Sequence, residues 1–171
     1  MRRLLLILPL LLIAADAPQE IEGWKVFNGK WEGNGKSLRS SVGTIIWQRE
    51  AKRSIEFSCV LCVHNPGDWK YLAVFWGWDG AKEGIENRNQ LYIRSTELIL
   101  QDRKTGKSVT VPFDFPVGKP MVIKGKILPT SAVFMVGKNQ LTSKDLSGLE
   151  NFALHVNGPD VTFDNISIRA R

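Results

Sequence analysis

Five carboxylates lie near the most aromatic part of this 171-residue chain: Asp79, Glu83, Glu86, Glu97 and Asp102. Hydrolysis of a glycosidic bond needs two such groups roughly 5 to 9 Å apart, one of them with a raised pKa to protonate the leaving oxygen. None of the five forms a recognisable pair by spacing, and no Glu is followed two places later by Asp, so a Glu-x-Asp-x-Glu strand motif is absent. Holding a sugar asks for less: a flat aromatic face beside amide, guanidinium or carboxylate groups that pair with hydroxyls. Phe75-Trp76-Gly77-Trp78-Asp79-Gly80 sets Trp76 and Trp78 on one side of a strand with Leu72 and Val74. Trp76 is therefore expected in the core, and Trp78, where the strand gives way to Asp79-Gly80, at a partly exposed edge. Gln90, Tyr92 and Arg94 share the polar face of the next strand, the loop before it supplies Arg88 and Asn89, and His64 ends its own strand beside Asn65. The ligand-binding set read from the sequence is His64, Trp78, Asp79, Arg88, Tyr92 and Arg94; no residue is assigned as catalytic.

Three other chemistries are weaker. Gly29 to Ser37, GKWEGNGKS, looks like a phosphate loop, but that motif needs a Gly five places before Gly-Lys-Ser and Lys30 stands there. The stretch reads instead as two tight turns around Trp31, at Asn28-Gly29 and Asn34-Gly35, with Lys36 solvated. Cys59 and Cys62 lie on one strand, where side chains three apart face opposite ways at roughly 10 Å, too far for a disulfide. Zinc would need further ligands, and the chain has two histidines, His64 and His155. No loop clusters Asp and Asn at calcium spacing, so no metal or cofactor is expected.

The elements that must position these groups follow from the pattern of the chain. Residues 1–17, MRRLLLILPLLLIAADA, carry two arginines, an apolar run from Leu4 to Ala15 and small residues at the end, the layout of a secretory signal peptide. The run is shorter than the about 20 residues a membrane span needs and contains Pro9. Residues 18–171 then form one domain, expected to be secreted or periplasmic. The formal net charge is +6, but the basic residues are scattered singly along the chain, which argues against a nucleic-acid groove. Nearly every segment alternates with period two and ends at Gly, Asn, Asp or Pro. Expected strands include Ile55 to Val63, Lys70 to Trp78, Gln90 to Arg94, Met121 to Leu128, Phe152 to Val156 and Val161 to Arg169, with turns at Gly137-Lys138-Asn139 and Asn157-Gly158-Pro159-Asp160. So many short strands in one domain imply an all-β, two-sheet antiparallel sandwich, since a single sheet would leave an apolar face in water.

At this level the chain resembles the concanavalin A-like, laminin G-like jelly rolls, and most of all the 3-keto-disaccharide hydrolase domain. The resemblance lies in Trp24-Lys25-Val26-Phe27-Asn28-Gly29-Lys30-Trp31, in Val133-Phe134-Met135-Val136-Gly137-Lys138, and in Phe152 to Gly158 followed by Val161-Thr162-Phe163-Asp164-Asn165-Ile166. It implies a closing strand that returns beside the first, and a glycoside hydrolase or carbohydrate-binding role. Enzymes of that group tend to carry Asn-Ser-Gly and then an Arg after the strand equivalent to Ser54 to His64; here the text runs His64-Asn65-Pro66-Gly67-Asp68-Trp69, with no such Arg. The expected partner is therefore a disaccharide or polysaccharide, with a non-catalytic protein-interaction domain of the cell envelope as the alternative. Oligomeric state is not legible.

Overall fold

The computed structural model describes residues 20–49, 51–78, 88–102, 105–144, 146 and 148–171. The expected leader and Asp79 lie outside these residues. Among the described residues twelve strands run in chain order: β1 (Glu20–Ile21), β2 (Trp24–Asn34), β3 (Ser37–Trp47), β4 (Ile55–Asn65), β5 (Tyr71–Trp76), β6 (Asn89–Ile93), β7 (Glu97–Asp102), β8 (Ser108–Pro112), β9 (Met121–Leu128), β10 (Ser131–Val136), β11 (Asn139–Ser143) and β12 (Ala153–Ala170). All pairings are antiparallel, and the fold is an all-β jelly-roll sandwich. Among the described residues no helix is long and apolar enough to cross a membrane.

The two layers are one hydrogen-bonded sheet folded on itself. The first half of β12 pairs with β5, which leads on to β6, β7 and β8; the second half pairs with β4, which leads on to β9, β10 and β11. β3 runs along the other edge of both halves, backed by β2. The sequence reading divides β12 at Asn157-Gly158-Pro159-Asp160. Those residues are not a turn but the bend at which one strand changes layers, with a register shift on both flanking strands. The Phe163-Asp164-Asn165-Ile166 stretch accordingly lies beside β3 and β4, not beside the first strands.

Alternation explains the layering. Ile55, Phe57, Cys59, Leu61 and Val63 of β4 are buried, while Glu56, Ser58, Val60 and Cys62 are half-exposed; β9 alternates buried and exposed at every position. These inward side chains meet Leu72, Val74 and Trp76 of β5 and Leu91 and Ile93 of β6 in one core. Trp76 packs on Phe134 at 5.3 Å, as its expected core position requires. β5 and β6 depart from alternation: nearly every residue is buried, so their outer face is covered as well.

One local expectation changes, at Asn28-Gly29, while the turn after Asn34 and the placement of the two cysteines hold. Asn28-Gly29 is not a reversal, because β2 runs unbroken through it; Gly29 sits beside a register shift facing Gly43, and a Cβ on Gly29 would collide with the Val42 carbonyl. The reversal is at Gly35-Lys36, where Asn34 Oδ1 accepts the backbone N–H of Lys36 and of Ser37 at 2.9 and 3.1 Å. Cys59 and Cys62 are free thiols on opposite faces of β4, the first buried and the second half-exposed. Burial pushes the Cys59 thiol far above its ordinary range, with Asp164 adding to the effect. A colorimetric thiol reagent should therefore titrate Cys62 alone in the native protein and Cys59 only after denaturation; equal native reactivity would contradict this placement.

Candidate functional site

On the outer face of the β12–β5–β6–β7 layer, register brings together residues far apart in the chain. His155 of β12 lies opposite Ala73 of β5, Ala73 lies opposite Tyr92 of β6, and Tyr92 lies opposite Ile99 of β7. One step along, Ala153, Phe75, Gln90 and Gln101 form the parallel row. Ala73 is thus ringed by Tyr71 and Phe75 on its own strand and by His155 and Tyr92 across from it. A methyl group in the middle lets the four rings meet over it. Tyr71 stacks on His155 at 5.2 Å and 21°, Tyr71 meets Tyr92 edge-on at 4.8 Å, and His155 lies 5.3 Å from Phe75. Phe75 and Tyr92 are buried, whereas Tyr71 and His155 are half-buried and form the accessible part of the platform.

Polar groups border the rings. The Arg88 guanidinium carbon lies over Phe75, 3.9 Å from the ring centre, a cation–π contact. Gln90 is fully buried and its Nε2–H donates to Gln101 Oε1 at 2.9 Å. Thr44 Oγ1 and His155 Nδ1 share a hydrogen bond of 2.8 Å, and Thr44 is held in turn by its backbone N–H donating to Asn28 Oδ1 at 2.7 Å. Among the described residues, Gln90 Oε1 and His155 Nε2 are buried with no hydrogen-bond partner. Arg94 is ion-paired to Glu97 at 2.6 Å and lies 5.7 Å from the Tyr92 ring.

Burial, reinforced by the Arg88 charge, pushes the His155 imidazole down to about 4. The unfolded chain takes up this proton below about 6.5, whereas the folded protein resists it until about 4, so stability falls as pH falls through that window. Between pH 7 and 4.5 the native protein should lose about 2 kcal/mol more than His155→Gln, measured by urea denaturation. Identical pH slopes in the two proteins would contradict a buried neutral imidazole.

The residues expected from sequence divide. Arg88, Tyr92 and Arg94 stand on this face. His64 does not: it is exposed on the outer face of the opposite layer, with Nε2 3.1 Å from Thr162 Oγ1 and Nδ1 3.9 Å from Cys62 Sγ, near the Arg39–Asp160 ion pair. Trp78 is buried rather than partly exposed, packed edge-on to Phe27 at 5.2 Å, with its carbonyl accepting Asn151 Nδ2–H. Asp79 lies outside the described residues. Of the carboxylates on the strands of this layer, Glu97 faces outward and is paired to Arg94, while Asp102 is buried and caps the turn after β7 through Thr105. Tyr71, Phe75 and His155 were missed, although the alternation Tyr71-Ala73-Phe75 against Leu72-Val74-Trp76 already separates the faces. A cleft of about 690 Å³ opens elsewhere, lined by Glu22, Lys36 and Arg49 together with the buried Trp24 and Trp47.

No family model matches the chain, and no curated protein matches it. Solved structures do. The chain is similar to the carbohydrate-binding module CBM66 from Bacillus subtilis, with a TM-score of 0.67 at 15% identity over 88% of this chain and 97% of that one. It is similar to a Parabacteroides distasonis protein assigned to the glycosyl hydrolases, with a TM-score of 0.63 at 11% identity over 87% and 88%. It is also similar to the exoplasmic/lumenal domain of VIP36 in a form with calcium and Man2 bound, with a TM-score of 0.65 at 12% identity over 87% and 81%. At these identities the likeness establishes the fold.

Proposed function

We propose that this chain is an exported carbohydrate-interacting jelly-roll protein whose ligand face is the outer surface of the β12–β5–β6–β7 layer. The observation that carries this reading is the ring platform of Tyr71, Phe75, Tyr92 and His155 closed over Ala73 and bordered by Arg88, Gln90 and Arg94. Tyr71 and His155, the half-buried rings, offer an apolar surface to the C–H face of a sugar, while Phe75 and Tyr92 are buried, and neighbouring polar groups pair with hydroxyls. The neighbours in fold include a carbohydrate-binding module and the VIP36 exoplasmic/lumenal domain with calcium and Man2 bound, which supports the same reading by analogy. Export rests on residues 1–17, and a secreted or periplasmic location follows from it.

A glycoside hydrolase of the 3-keto-disaccharide type is the catalytic version of this proposal. It rests on the family resemblance, and its acid and base are to be sought at Asp79, Glu83, Glu86 and Glu97. The alternative is a non-catalytic protein-interaction domain of the cell envelope. Val122 and Met135, exposed on the outer face of the opposite layer, favour it, but Lys124 and Lys126 interrupt them, so the apolar patch is broken. Purified protein is to be screened against ordinary and 3-keto disaccharides and polysaccharides for product release and ligand-induced thermal shift. Turnover establishes the enzyme, and a shift without turnover establishes a binding module. Silence in both readouts removes the carbohydrate reading.

A further inference from the structure

We propose that Gln90 and His155 are the hydroxyl-reading groups of this face, and that the ligand they select is an uncharged hexose-based oligosaccharide. The inference rests on the carbohydrate reading above and narrows it to a ligand class. Its warrant is two polar atoms, Gln90 Oε1 and His155 Nε2, buried without partners among the described residues. An unpaired buried donor or acceptor costs about 1–3 kcal/mol, so folds leave few of them without a use.

Each side chain is fixed through its other polar atom. Gln90 spends its N–H on Gln101, which leaves its carbonyl oxygen as the unpaired atom. Thr44 engages Nδ1 of His155, which leaves Nε2 as that ring's unpaired atom. An amide oxygen wants a hydrogen to accept, and a neutral imidazole nitrogen accepts or gives one according to tautomer. A hydroxyl satisfies both. A carboxylate brings no hydrogen, and would set oxygen against oxygen at Gln90.

Spacing sets the size of the ligand. His155 and Gln90 are on strands separated by β5 and offset by two residues, which places their backbones about 12 Å apart. Phe75, covered by Arg88, lies between them. That span does not suit two adjacent hydroxyls; it suits the opposite edges of one hexose or two successive units.

The test is titration calorimetry on the full protein with neutral disaccharides and with matched disaccharides in which one hexose is replaced by its uronic acid. His155→Phe keeps a ring against Tyr71 and removes both nitrogens, and Gln90→Met keeps length and removes the amide; Tyr71→Ala reports on the platform itself. The expected result is binding of a neutral disaccharide, at least tenfold weaker binding of its uronate, and at least a tenfold loss in each of His155→Phe and Gln90→Met. A thermal melt confirms that each variant is folded, and His155→Phe decides alone if Gln90→Met is not. Native affinity in the variants, or preference for the uronate, overturns the inference; if Tyr71→Ala still weakens binding, the carbohydrate reading stands and the two orphan atoms merely hold internal water. If no saccharide binds any form, both fall together.

Discussion

Replacing Tyr71 with Ala is expected to weaken saccharide binding by roughly 10- to 100-fold while leaving the protein folded, the range expected when an aromatic anchor is truncated. Tyr71 is the half-buried ring that touches both His155 and Tyr92, so its loss opens the platform at its accessible edge. It faces away from the core made by Leu72, Val74 and Trp76, and for that reason the melting temperature should change far less than the affinity. Calorimetry and a thermal melt on the same sample separate the two effects. Unchanged affinity in Tyr71→Ala would show that sugars bind elsewhere.

The largest stability effect is expected at Gly158, where β12 crosses from one layer to the other. Its φ is +110°, a conformation that L side chains rarely adopt, and a Cβ there would overlap the Asp68 carbonyl oxygen and come within 2.7 Å of its carbon. The obstructing atoms are backbone, so no side chain can swing aside. Gly158→Ala should cost about 3–5 kcal/mol, the sum of backbone strain and overpacking, and lower the melting temperature by roughly 10 °C. Gly118 is the control: its φ is +77° but nothing lies within 4 Å of a Cβ there, so Gly118→Ala should cost about 1 kcal/mol. Equal losses at the two positions would mean that the layer crossing at Gly158 is not as tight as described.

Gly158 also shows where sequence reasoning stops. Alternation placed β9 at its exact bounds and separated the inward and outward residues of β4, because those strands bury one face and leave the other in water. At Asn157 to Asp160 the local chemistry is that of a turn, and only the pairing with β5, β3 and β4 makes it a bend within one strand. The site was legible to the same extent. Gln90, Tyr92 and Arg94 share a face by alternation within one strand. His155 joins them through a register spanning about 80 residues of chain, and no local pattern reports that. His64 drew attention because it ends a strand beside Asn65, and Trp78 because it precedes Asp79-Gly80; neither position reveals which layer faces what.

The two histidines stand on opposite outer faces of the sandwich, so they serve as internal reporters of where a ligand sits. The decisive measurement is a long-range nitrogen–proton spectrum of the imidazole rings, recorded at neutral pH during titration with the saccharide that gives the largest thermal shift. The account predicts that the His155 ring nitrogens, Nε2 above all, move with saturating ligand while those of His64 stay in place. Movement at His64 with His155 unchanged would place the ligand on the other layer and contradict the account.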